Sequence, residues 1–126
     1  MALVLLALLF ALPASAADLV FEGGGERLVV PGERLVEISA ARDYNGNDVV
    51  EFLFAPKDAA ALHDLTKTLL GQQLDVVVCG EVLIRPTIME PIAGGRGQIS
   101  MPDQEAAQAL AARLQGDADC GSPDGS

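Results

Sequence analysis

The apolar positions of this chain change period along its length, and the changes mark its elements. Leu19-Val20-Phe21 and Leu28-Val29-Val30 are short apolar runs on either side of Gly23-Gly24-Gly25, the pattern of two strands and a turn. Leu35, Val36 and Ile38 carry a third strand through Arg34–Ala40. From Val49 to Phe54 the period is two, and Val50, Phe52 and Phe54 share one face of a strand rich in β-branched and aromatic residues. Between these strands Asn45-Gly46 predicts a type I′ turn, whose two central residues both need positive φ. At Pro56 the period lengthens to that of a helix. Leu62, Leu65 and Leu69 form its core stripe, flanked by Ala59 and Thr66, with Lys57, Asp64 and Lys67 away from the centre. Proline suits the first helical position and Gly71 the left-handed residue past the end, so the helix is expected over Pro56–Leu70.

Leu74–Val78 and Glu81–Ile84 then read as a hairpin around Cys79-Gly80. Pro86 and Pro91 confine the next stretch to irregular or edge-like structure, and Gln98–Ser100 returns as a brief strand. Pro102–Leu114 is a second amphipathic helix with Ala107, Leu110 and Leu114 inward, Ser100 or Met101 as its cap and Gly116 as its stop. The fold class is therefore α+β: a small mixed or antiparallel sheet with two amphipathic helices, in the order β-β-β-β-α-β-β-β-α. Residues 18–115 are expected to form one domain. Residues 117–126, polar and rich in Gly, Pro and Ser, are expected to be a disordered tail.

The first sixteen residues stand apart. Leu3–Leu12 is almost purely apolar, shorter than a comfortable bilayer span, and ends at Pro13. Ala14-Ser15-Ala16 then places small residues where signal peptidase needs them, although the amine of Met1 supplies the only positive charge ahead of the apolar run. The expectation is a signal peptide over 1–16, cleaved near Ala16, and a soluble mature periplasmic protein with no membrane span.

Charge narrows the function classes. Eighteen Asp and Glu stand against eight Lys and Arg, a net charge of −10, all of it beyond Ala16. Such a field repels phosphate backbones and anionic membrane surfaces. Aromatic content is 4 % with no Trp, so platforms for stacking bases or sugars are absent. Nucleic acid is excluded as a partner. The acids are scattered rather than clustered, the pattern of a solvated acidic surface.

The elements from Val49 onward carry a more specific signal. A strand, a helix ending at Gly71, a hairpin, Pro86 and the run Glu90-Pro91-Ile92-Ala93-Gly94-Gly95-Arg96-Gly97-Gln98-Ile99-Ser100 precede a helix of small residues. Over residues 48–114 this succession resembles the head subdomain of the large periplasmic domain of SecD, a protein-export membrane protein. The resemblance implies the fold given above and contact with exported polypeptide or an envelope protein, with the export machinery as one such partner. It implies no motor activity, because proton-coupled export in that family belongs to transmembrane helices outside the head. SecD-like heads often carry Asn or Asp where this chain has Cys79, so the cysteine needs another reason.

That reason is sought in Cys120, the only other cysteine. An oxidising compartment favours pairing the two. Cys120 lies six residues beyond Leu114, and an extended tail of that length reaches about 20 Å. A Cys79–Cys120 disulfide within one chain is the reading adopted, with free thiols and an intermolecular bond as the alternatives. There is no C-x-x-C, which removes a thioredoxin-like role.

No reaction is expected and no cofactor. Gly94-Gly95-Arg96-Gly97 invites comparison with a phosphate loop, but a strand follows it instead of a helix start, so its glycines are read as turn chemistry. Asp43-Tyr44-Asn45-Gly46-Asn47-Asp48 imitates the opening of a calcium loop, with its glycine two places early and Phe54 where the bidentate Glu belongs. No metal is expected there. His63, the sole histidine, has no inferable nucleophile beside it and reads as a surface residue. Arg85 and Arg96 read as surface ion-pair partners. The candidate partner-binding residues are Met89, Glu90, Pro91, Ile92, Gly94, Gly95, Arg96 and Gly97, read with Ile88 as a solvated, apolar-tipped loop whose methionine lends adaptability. The alternative is a structural or inhibitory protein that binds its partner along an exposed sheet edge. Neither reading specifies an oligomeric state.

Overall fold

The structure is a computed structural model that describes residues 15–120. Most of the expected signal peptide therefore lies outside the described residues. Two strands, β1 (Asp18–Gly23) and β2 (Glu26–Pro31), are joined by Gly24-Gly25, whose φ values of 56° and 80° make the positive-φ turn that a tight hairpin needs. A single 3-10 turn at Gly32–Arg34 leads into β3 (Leu35–Arg42), β4 (Asp48–Phe54) and helix α1 (Pro56–Thr68). Strands β5 (Asp75–Val78), β6 (Glu81–Ile84) and β7 (Arg96–Ser100) and helix α2 (Gln104–Gln115) complete the chain. The element order is the one the periodicity predicts.

The strands divide between two antiparallel sheets, ordered β2-β1-β5-β6 and β3-β4-β7. Leu19 and Phe21 on β1, Val30 on β2 and Val76 and Val78 on β5 share the inner face of the first, while a row of paired valines, Val29, Val20, Val77 and Val82, crosses its outer face. In the second sheet Val50, Phe52 and Phe54 face inward with Ile38 and Ile99, and Glu37, Glu51 and Gln98 face the other way. The sheets meet where Phe21 and Phe54 place their ring centroids 5.9 Å apart. Helix α2 covers β3 and β4 with Ala107, Leu110, Ala111 and Leu114, and α1 packs Leu62, Leu65 and Leu69 toward β2 and β4. One apolar cluster thus joins both sheets and both helices. Each fully buried Leu in it contributes roughly 1.5–3 kcal/mol.

Two local expectations are corrected. The β3–β4 connection is a five-residue loop in which Gly46 alone has positive φ, at 81°, rather than a type I′ turn on Asn45-Gly46. Asp43 decides this: its Oδ1 accepts the N–H groups of Asn45 and Asn47, both at 2.9 Å, and its carbonyl accepts that of Gly46. The Asn47 backbone bond is the main reason its carboxyl lies below the ordinary carboxylate pKa. Helix α2 is capped by Asp103, whose carboxylate accepts the Ala106 N–H at 2.8 Å, and not by Ser100 or Met101. Those two cannot cap it because β7 runs through Ser100 and the Met101 N–H still bonds Asp48. Of the segment expected as a tail, residues 117–120 are described. Asp117 donates to the Ala112 carbonyl and Ala118 is buried, while residues 121–126 lie outside the described residues.

Helix α1 carries an ion pair that hydrophobic patterning does not anticipate. Asp58, 4 % exposed in the first turn, takes the Arg34 guanidinium at 2.9 Å. The carboxylate sits at the positive end of the helix dipole and ties the 3-10 turn to α1.

Candidate functional site

The segment from Pro86 to Gly97 folds back over the end of α1, and its backbone determines what it presents. Residues 86–88 run antiparallel to the chain leaving the helix: Leu74 N–H donates to Pro86 O, Ile88 N–H to Gln72 O, and Gly71 N–H to Ile88 O at 2.7 Å. Gly71 reaches that bond because its φ of 80° turns the chain out of the helix. Ile88 is 4 % exposed and belongs to the core, which corrects its assignment to a solvated tip. A second anchor follows. The Ile92 N–H donates to Thr66 Oγ1 at 2.8 Å, and the same hydroxyl donates to the Leu62 carbonyl at 2.8 Å. Thr66 is fully buried, so this pairing satisfies both the hydroxyl and the loop amide. Pro91 and Ile92 are half-buried as a result.

The glycines close the segment against the second sheet. Gly94 and Gly95 have φ values of 86° and 69°, and the Gly95 carbonyl accepts the Phe54 N–H at 2.7 Å. A Cβ at Gly95 would press on Ala59. Gly97 lies opposite Phe52 in the β4–β7 ladder, and a Cβ there would collide with the edge of the phenyl ring. These glycines are therefore required by close approach and by chain direction. They form no phosphate cradle, since β7 begins at Arg96.

What remains for contact is small, an apolar side chain with an acidic one beside it. Met89 is 83 % exposed and Glu90 is exposed beside it. Leu70, at 47 %, is the other large apolar side chain left open at this end. Leu70 precedes Gly71 and Met89 follows Ile88, so both flank the Gly71–Ile88 hydrogen bond at this end of the fold. Sequence reasoning missed Leu70. The available signal was its place one residue beyond Leu69, off the Leu62–Leu65–Leu69 stripe. Of the eight candidate residues, Met89 and Glu90 form this tip, Pro91 and Ile92 buttress it, and Gly94, Gly95 and Gly97 serve the framework. Arg96 is on the outer sheet face, pairing with Glu37 at 3.8 Å across Leu53.

The other singled-out groups lie elsewhere. Arg85 pairs with Asp75 at 3.2 Å on the surface. His63 is half-exposed, with Nδ1 3.7 Å from the Asp64 carboxylate. Among the described residues no group of three His, Cys, Asp or Glu is arranged to hold a metal ion, and no helix is long and apolar enough to cross a membrane. At the far end of the first sheet, Cys79 and Cys120 form a disulfide with Cα atoms 5.3 Å apart. Cys79 has φ 55°, the only positive value on a non-glycine among the described residues. With Gly80 at 74°, it makes the tight turn normally left to Asn or Asp.

Comparison with known proteins gives this geometry a family. The family described as SecDF, P1 head subdomain, matches residues 16–118. The chain is 33 % identical over 106 residues to a protein translocase subunit SecD of Acidaminococcus fermentans, an alignment covering 83 % of this chain and 25 % of that protein. A SecD subunit of Rhodobacter capsulatus is 38 % identical over 72 residues, 57 % of this chain and 13 % of its own length. A solved structure of SecDF, a membrane component that enhances protein export, superposes with a TM-score of 0.63 at 28 % identity, over 70 % of this chain and 42 % of the other. SecDF in its super-membrane-facing form gives 0.59 at 29 % identity, over 69 % and 12 %. The chain thus spans about a quarter of the length of the Acidaminococcus relative. A match that starts at the residue before Ala17 and runs through the buried Ala118 takes in every strand and helix described above, and the chain belongs to the SecDF P1 head subdomain family.

Proposed function

We propose that this domain is exported to the periplasm, is freed of residues 1–16 on the way, and acts there without catalysing a reaction. Its work is to contact polypeptide or an envelope protein through the tip at Met89, as an accessory to protein export. The observation that carries this reading is the exposed pair Met89 and Leu70, set on a base that three backbone hydrogen bonds and Thr66 hold in place. A flexible thioether on a fixed base suits extended chains of varied sequence, because the side chain adapts while the backbone loses little entropy on binding. Its relatives named for protein translocation and for enhancing protein export support the same reading. Photo-crosslinking from positions 89 and 70 in cells tests it, with fully exposed Tyr44 as the control. Capture at 89 and 70 well above that at 44 is expected. Equal capture at all three positions ends the reading.

A second reading has its own observation. Strand β3 is the longest among the described residues and lies at the edge of its sheet, beside a shallow cleft of about 580 Å³ lined by Leu35, Val36, Ile38 and Gln115. An extended partner adding a strand there would use backbone bonds rather than the Met89 tip. Val36 is exposed, so Val36→Lys blunts the edge without disturbing the core. Loss of capture in that variant, with Met89→Ser unaffected, would favour the edge over the tip.

A further inference from the structure

Ala17 is a built-in part of the fold. It is 7 % exposed, its N–H donates to the Arg113 carbonyl at 2.8 Å, and its carbonyl accepts the Gly32 N–H at 3.0 Å. Packing there is close: a Cβ on Gly32 would run into the carbonyls of Leu114 and Ala17. Arg113 lies in the last turn of α2, just before Gly116 turns left-handed at φ 82°. The carbonyls of that turn form the negative end of the helix dipole. Ser15, by contrast, is exposed.

Composition offers two frames for signal peptidase, since Ala14-Ser15-Ala16 and Ser15-Ala16-Ala17 both carry small residues at the two required positions. The fold distinguishes them. Cleavage after Ala17 would remove a core residue and leave the Gly32 N–H without its acceptor. Cleavage after Ala16 leaves both bonds of Ala17 in place.

We propose that hydrolysis of the Ala16–Ala17 bond makes the Ala17 ammonium a charged cap on the C-terminal end of α2. Water adds across the bond, with signal peptidase as the catalyst. Ala16 leaves as a carboxylate on the leader, and the Ala17 nitrogen becomes an ammonium that still donates to Arg113. In the precursor the same nitrogen is a neutral amide. Processing therefore exchanges a neutral hydrogen bond for a charge-assisted one at the negative helix end. This inference rests on the export reading above.

Two measurements test it. The intact mass of the protein from the periplasmic fraction should correspond to a chain beginning at Ala17. A chain beginning at Asp18, or retaining Met1, overturns the inference while leaving periplasmic location intact, whereas a protein found only in the cytoplasm overturns the export reading with it. The second compares melting of a chain that starts at Ala17 with one that starts at Ser15. Both carry one terminal amine and the same net charge, and they differ in where that amine sits and in the two uncharged residues Ser15 and Ala16. The Ala17 form should melt about 3 °C higher. Equal or lower melting overturns the cap.

Discussion

The two ends of the four-stranded sheet are closed by different means. At the end where β1 begins, the Cys79-Gly80 turn is tied to the segment after α2 by a covalent bond spanning 41 positions. At the end where β1 finishes, beside the Gly24-Gly25 turn, the exit of α1 and residues 86–92 are held together by backbone hydrogen bonds and one buried hydroxyl. The difference follows from what each segment can offer. Residues 86–88 run beside residues 71–74 and satisfy them bond for bond, and Ile88 adds apolar burial. The segment after Gly116 contributes one amide bond at Asp117 and the small side chain of Ala118. Ordering each of its residues costs about 1–2 kcal/mol, more than those contacts return. A disulfide removes that deficit by restricting the unfolded chain.

Breaking the covalent end should have the largest effect. Cys79→Ser with Cys120→Ser releases a loop of separation 41, a loss of roughly 4 kcal/mol in denaturant unfolding. Addition of a reductant to the wild type should reproduce it. A loss below about 1 kcal/mol would mean that the tail holds by packing alone, and the contrast between the ends would disappear.

The hydrogen-bonded end is probed by Thr66→Val, which keeps shape and removes the acceptor of the Ile92 N–H. A loss of about 2 kcal/mol is expected, with Thr66→Ser recovering most of it. Hydrogen exchange at the Ile92 amide should accelerate in the valine variant and leave amides near Cys79 unchanged. Gly97→Ala acts on the same segment by forcing a methyl group into Phe52, at a cost of about 1–3 kcal/mol.

Met89→Ser separates contact from stability. The side chain is exposed, so unfolding should shift by less than about 0.5 kcal/mol while crosslinking to a partner falls. The turn at Asp43 belongs to neither end and gives the smallest effect. Its folded carboxyl lies below the ordinary value of 3.8, so its contribution is complete above that pH and is lost as pH falls through the lowered folded value. Asp43→Asn should be slightly less stable than wild type near neutrality, and the gap should close in acid, as read by thermal melts across pH.

Much of the fold was legible because its determinants are local. Period two through Val50, Phe52 and Phe54, period 3.6 through Leu62, Leu65 and Leu69, and glycines at positions 71 and 116 depend only on near neighbours. The candidate site was legible in outline, since the loop after Pro86 does present Met89. Its detail was not. Ile88 and Met89 are adjacent apolar residues in an irregular stretch, with no period to say which one faces inward. The choice depends on Gly71 and Gln72, which lie on the other side of a hairpin.

The amino-acid sequence by itself thus determined the order and type of the elements, the tight turn at Cys79-Gly80 and the family. Propensity, turn chemistry and apolar period act within a few residues along the chain. Tertiary structure alone decided that the strands of the described residues form two sheets rather than one, that Thr66 holds Ile92, that Leu70 and Met89 are both left exposed, and that Ala17 rests on the end of α2. These are contacts between positions far apart in sequence. Each forms only once the shared core has fixed both partners, and no short stretch of residues carries that information.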